Sequence, residues 1–142
     1  MRILGVDYGD ARIGLALSDV SGFLAGGIGK LDISGMNDAV KKILPVIEEN
    51  GVDTVVLGLP LNMDGTEGAS ASKIKAFAEK LLQKKPEIKI EYIDERRTTI
   101  LASEYMNITG THGKSRKEKI DTLSAQIILQ TFLDLQKNKE EQ

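Results

Sequence analysis

Arg2-Ile3-Leu4-Gly5-Val6-Asp7-Tyr8-Gly9-Asp10-Ala11-Arg12-Ile13-Gly14-Leu15-Ala16-Leu17-Ser18 is the stretch from which the fold can be read. Ile3, Leu4 and Val6 make the first residues a short apolar run, which predicts a buried strand ending at Asp7. Tyr8-Gly9-Asp10 carries a turn signal. Arg12 to Ser18 predicts a second strand, so the two form a hairpin.

The glycine-rich stretch Gly22 to Gly29 leads into Lys30-Leu31-Asp32-Ile33. This third strand is expected to be irregular or to lie at an edge, because glycine weakens strands. Asn37 is expected to cap a helix starting near Asp38. Its apolar stripe is Ala39, Val40, Ile43, Leu44 and Ile47, with Pro45 expected to kink or break it and Gly51 closing it. Thr54-Val55-Val56-Leu57-Gly58 predicts a central parallel strand. After the loop Pro60 to Gly68, the stripe Ile74, Phe77, Ala78, Leu81 and Leu82 predicts a helix from about Ser70 to Gln83. Ile88 to Ile93 alternates as a strand. A short helix over Thr98 to Asn107 and a loop over Ile108 to Lys114 follow. Ser115 and Glu118 form a capping box for a final helix that runs to about Gln136.

The order β-β-β-α-β-α-β-α-α predicts an α/β fold. Its mixed sheet has three antiparallel strands followed by parallel strands, with helices on both faces. Residues 1–136 are expected to form one domain, and the polar tail 137–142 to fray. The 142 residues bear 19 basic and 21 acidic side chains, no cysteine and one histidine, His112. Zinc fingers, thiolate nucleophiles and His-pair mechanisms are thereby excluded. The net charge of −2 argues against a surface coated with Lys and Arg, though not against a local basic patch. No apolar run reaches membrane-spanning length, and no secretory signal is evident. A cytoplasmic protein is expected, with no membrane partner.

Carboxylates fall where α/β folds place chemistry, at strand ends and the turns after them. Asp7 ends the first strand, and Asp94 and Glu95 end the last. Asp121 lies in the final helix, where Ser124 and Ala125 at i+3 and i+4 would allow a close approach to the sheet. Each acid alone reads more simply as a turn residue, a loop charge or a solvated helix acid. Together, three elements bring carboxylates toward one place. Such a cluster repels itself and calls for a hard divalent cation. Two such ions about 4 Å apart are standard for phosphodiester cleavage.

The residues from Ile3 to Asp19 resemble the opening of the YqgF/RuvX family. So do Val56-Leu57-Gly58-Leu59-Pro60-Leu61-Asn62-Met63-Asp64-Gly65-Thr66, Asp94-Glu95-Arg96-Arg97-Thr98-Thr99 and the stretch from Lys119 to Gln130. The match covers essentially the whole chain. It implies an RNase H-like fold related to the resolvase RuvC, and a nuclease maturing the 5′ end of pre-16S rRNA. Holliday junction resolution on branched DNA is the alternative. The resemblance makes Asp7, Asp94 or Glu95, and Asp121 the active-site acids. Asp7, Glu95 and Asp121 are the expected ligands of Mg2+ or Mn2+, with the choice between Asp94 and Glu95 open. RuvC-type sites often carry a fourth carboxylate where Ser124 stands here.

Arg96, Arg97, Lys114, Arg116, Lys117 and Lys119 would form a positive rim beside the acids, suited to a polyanionic strand. The plain alternative is a solubilising helix start. Asn62, Asp64 and Thr66 read equally as phosphate contacts or as turn chemistry. Tyr8, beside Asp7, is the only aromatic placed to stack on a base, while Phe77 and Phe132 fit core stripes. Pre-ribosomal RNA or branched DNA is the expected partner, a pre-ribosomal particle a further one, and the chain a monomer or homodimer. From other classes come a nucleotide-binding module, because the strand–Asp-x-Gly–strand opening also occurs in actin-like and Hsp70-like kinases, and a catalytically silent ribosome-assembly factor.

Overall fold

A computed structural model describes residues 2–95 and 113–141, with side chains in the last helix described for 122–137 and 139. In chain order the elements are β1 (Arg2–Tyr8), β2 (Arg12–Ser18), β3 (Ala25–Asp32), α1 (Met36–Glu49) and β4 (Val52–Leu59). They continue with α2 (Ala69–Lys84), β5 (Lys89–Asp94) and α3 (Gly113–Glu141). The strands lie in the order β3-β2-β1-β4-β5. The first three pair antiparallel, and β1, β4 and β5 pair parallel. The mixed sheet expected from the sequence is the one found.

Strand alternation sorts the side chains onto two faces. Leu4, Val6, Val55, Leu57 and Ile88 meet the buried stripes of α1 and α2, where Ile43, Ile47, Phe77 and Leu81 are fully enclosed. On the other face Ala16, Val56 and Ile93 meet Ala125, Ile128, Leu129 and Phe132 of α3. Each large apolar side chain enclosed this way contributes about 1.5–3 kcal/mol. Helices therefore cover both faces.

The third strand lies at the edge and is irregular, as glycine foretold. It starts at Ala25 rather than Lys30, because the glycine backbones pair with β2 without needing side chains. Its register slips between Leu15↔Gly29 and Ala16↔Gly27, which leaves Ile28 as the extra, solvent-exposed residue of a bulge.

Three boundary expectations are corrected. Gly35, not Asn37, holds the N-cap position of α1, and the Asp38 carboxylate accepts the Ser34 backbone N–H at 2.9 Å. Pro45 does not break α1. Pro45 and Lys41 are both exposed, so the single lost backbone bond lies on the solvent side while the buried stripe holds the helix. The last helix begins at Gly113, which puts Ser115 and Glu118 inside it rather than at its cap. It continues through Glu141, past the end expected near Gln136. Phe132 and Leu133 anchor this end, and the Lys137 ammonium sits 5.2 Å from the Phe23 ring centre. The helix expected over 98–107, His112, and the loop up to residue 112 lie outside the described residues. Among the described residues, no helix is long and apolar enough to cross a membrane.

Candidate functional site

A row of small residues runs across the sheet beneath α3. Gly27 on β3 pairs with Ala16 on β2, and Ala16 pairs with Gly5 on β1. A Cβ on Gly5 would stand 2.6 Å from the Leu129 Cβ and 2.8 Å from the Ala125 carbonyl oxygen. A Cβ on Gly27 would stand 2.5 Å from the Thr122 Cγ2. Only glycine permits helix and sheet to lie this close. Thr122 and Gln126 sit over β3, Ala125 over Gly5, and Phe132 packs on the cluster that includes Ile3. The helix thus runs antiparallel to β1, toward the strand's beginning. Asp121 stands one turn before Ala125, and so toward the carboxyl end of β1.

Asp7 shares the α3 face with Gly5, two residues before it. Its neighbour on β2 is Gly14, and Gly58 follows Leu57, the β4 partner of Val6. Beside Asp7, both neighbouring strands therefore present a glycine on this face. Gly58 opens the space on the other side as well. A Cβ there would stand 3.2 Å from the Glu95 carboxyl carbon and 2.6 Å from the Ile128 Cδ1. The Glu95 backbone N–H donates to the Leu59 carbonyl at 3.0 Å, which continues the β4–β5 pairing one residue past β5. By alternation Glu95 shares the face of buried Ile93, and Asp94 belongs to the opposite face. The Glu95 carboxylate lies beside Gly58, and the register of β1 puts Asp7 on the adjacent strand, on the same face.

Among the described residues no three His, Asp or Glu side chains are grouped to hold a metal ion. The Asp121 side chain, third of the expected set, is not among them. Arg96 and Arg97 lie outside the described residues. Lys114, Arg116, Lys117 and Lys119 fall in the first two turns of α3. Ser124 is buried.

Tyr8 departs from its expected role. It follows Asp7 and so points to the opposite face, where its ring packs 4.7 Å from that of Phe77. Burial, and then the nearby Asp10 carboxylate, push its hydroxyl above the usual tyrosine range. The loop after β4 shows turn chemistry: the Thr66 hydroxyl donates to Asp64 at 2.6 Å, and the Asn62 amide donates to Thr66 at 2.9 Å. A cavity of about 220 Å³ at the carboxyl ends of the strands is lined by Tyr8, Pro60, Ser70, Lys73 and Glu95. The sequence reading missed Ser70 and Lys73 there, since nothing in the α2 stripe marks its first turn as a cavity wall. It also missed Gly14 and Gly58, whose role appears only once strand register is known.

The five-stranded mixed sheet, with α3 across the acid-bearing face, is an RNase H-like fold. Thermus thermophilus RuvC in complex with a Holliday junction substrate is similar to it, with a TM-score of 0.62 at 15% identity, covering 97% of this chain and 96% of that one. The fowlpox virus Holliday junction resolvase gives a TM-score of 0.59 at 13% identity, covering 95% and 99%. A profile described as "RuvX: Holliday junction resolvase" matches residues 1–135, and the chain belongs to this family. A protein of Acetivibrio thermocellus named "Putative pre-16S rRNA nuclease" is 41% identical over 135 residues, covering 94% of this chain and 96% of its own. A protein of the same name from Caldanaerobacter subterraneus is 42% identical over 140 residues, covering 97% and 99%.

Proposed function

We propose that this protein is a divalent-metal-dependent nuclease of the bacterial cytoplasm that hydrolyses a phosphodiester bond near the 5′ end of pre-16S rRNA. The observation that carries the reading is the placement of Asp7 and Glu95 on either side of Gly58, on the face covered by α3. The relatives' shared name supports the substrate.

The donor chemistry fits a hard cation. Carboxylate oxygens are the ligands that Mg2+ or Mn2+ prefer, and the chain offers no thiol to favour a softer metal. Asp7, Glu95 and Asp121 would hold it. When bound, it would supply Lewis-acid polarisation of the phosphate and a nucleophilic water. The side chains that this chain contributes otherwise hold the substrate. Arg96, Arg97, Lys114, Arg116, Lys117 and Lys119 neutralise phosphates and set the strand's position without reading its sequence.

A second reading is resolution of branched DNA, favoured by the description of the matching family. It requires two active sites, and hence a homodimer. Incubating purified protein and Mg2+ or Mn2+ with a pre-16S leader RNA, and separately with a four-way DNA junction, tests both. Cleavage of the RNA is expected. Cleavage of the junction alone would transfer the assignment to DNA. No cleavage of either, or of an RNA within a pre-ribosomal particle, would leave a silent assembly factor.

A further inference from the structure

On the side of the sheet away from α3, a groove of about 570 Å³ runs between α1 and α2. Its walls carry Lys41 from α1 and Lys80 and Lys84 from α2, above a floor of Val40 and Leu44. No carboxylate lines it among the described residues. Three cations thus converge in a chain whose net charge is −2. Lys41 and Lys84 are exposed, and Lys80 is steadied by donating to the Asn37 side-chain oxygen at 3.0 Å.

We infer that this groove is a second RNA-binding surface, which grips the phosphate backbone of structured RNA at a distance from the acids. The charge is complementary to phosphate, since no acidic side chain lines the groove beside the lysines. Asn37 and Gln83 add amide groups suited to phosphate or ribose hydroxyls. No aromatic ring lines the groove, so it has nothing on which to stack a base and holds RNA by its backbone, whatever the sequence. The inference rests on the nuclease reading for its choice of RNA over an acidic protein. It goes further in requiring a substrate large enough to reach both faces of the sheet, which a short strand lying across the acids does not do.

The test compares binding of two RNAs, a folded pre-16S leader and a short single-stranded oligoribonucleotide, without metal. The proteins are wild type, Lys41→Gln/Lys84→Gln and Lys41→Arg/Lys84→Arg. Lys80 is left intact because it ties α2 to α1. For the leader, the Gln pair should bind more weakly and flatten the slope of log affinity against log salt by about 1.4 to 1.8, the release from two phosphates. The Arg pair should bind as wild type, and the oligonucleotide should bind all three alike. Unchanged leader affinity and slope in the Gln pair would overturn the inference, and would leave an acidic protein as the groove's occupant. Equal weakening on the oligonucleotide, or an Arg pair as defective as the Gln pair, would overturn it too. Cleavage is scored separately. A wild type that cuts nothing but binds the leader through the groove would sink only the nuclease reading. Cleavage with no dependence on the groove lysines would sink only this one.

Discussion

The Glu95 carboxyl carbon lies 3.2 Å from the point where Gly58, on the neighbouring strand, would carry a Cβ. An acid at the end of one strand thus occupies space that the next strand leaves by lacking a side chain. Asp7 flanks the same glycine from β1. The site depends as much on what Gly58 lacks as on what the two acids supply.

Gly58→Ala should therefore fold but cleave poorly. The new methyl would press on the Ile128 Cδ1, the mobile end of a side chain that can turn aside, and on the Glu95 carboxylate. Overpacking of this kind costs about 1–3 kcal/mol. Displacing Glu95 by a fraction of an ångström to one ångström should lower kcat by about tenfold to a hundredfold. Urea denaturation and single-turnover cleavage, measured on the same preparation, separate the two effects.

Gly5→Ala should do the reverse, with a defect dominated by stability. Its Cβ would stand 2.8 Å from the backbone carbonyl of Ala125, which cannot turn aside, so α3 must lift from the sheet. A loss at or above the upper end of the same 1–3 kcal/mol range is expected. An unfolding midpoint equal to wild type would show that the helix does not rest on this glycine.

The two acids at the end of β5 should separate cleanly. Glu95→Gln keeps the shape and removes a charge on the α3 face, and should reduce metal-dependent cleavage by orders of magnitude. Asp94→Asn, on the opposite face, should change it by less than tenfold. Reversed severities would place the metal ligand at Asp94.

Asp7→Asn and Asp121→Asn should each abolish cleavage while the protein remains folded, and the double variant should be little worse than either. Groups that act as a unit lose their function together rather than multiplicatively. Independent, multiplying losses would mean that they do not share a metal.

Asp38 gives a pH dependence to the start of α1. The Ser34 backbone N–H, and then Lys42, hold its carboxyl below the usual aspartate range. A folded-state pKa below the unfolded value of about 3.9 adds stability that is complete above that value and lost as pH falls through the folded one. Asp38→Asn should thus lower the unfolding midpoint at neutral pH. The gap from wild type should close in acid, below the folded-state pKa. A gap that is constant with pH would assign the effect to packing.

The strands and their mixed pairing were legible because β1, β2, β4 and β5 are short apolar runs bounded by turn residues, and β3 announced itself by its glycines. Helix ends were less legible. Ser115 and Glu118 match a capping pattern, but the chain is already helical at Gly113, and buried Phe132 and Leu133 carry α3 past the polar residues expected to fray. Asp7, Asp94 and Glu95 could be named from the sequence, yet which of the last two shares the face of buried Ile93 could be read only once the strand was placed. Tyr8 was misread for the same reason, since its partner Phe77 lies 69 residues away in the chain. Long-range pairing of this kind has no local signature.

Asp7 and Tyr8 are consecutive and point to opposite faces, so β1 carries its own check on correct assembly. A slip of β1 by one residue would exchange the two. The carboxylate would then be driven into the apolar layer against Phe77, where an uncompensated charge costs several kcal/mol. The phenol would be forced between Gly14 and Gly58, where Ile128 and Glu95 already fill the space over Gly58. A misregistered chain would be unstable as well as inactive, and would tend to unfold and try again rather than persist as a folded but dead enzyme. Asp7, the acid proposed for the chemistry, would thus also proofread the strand.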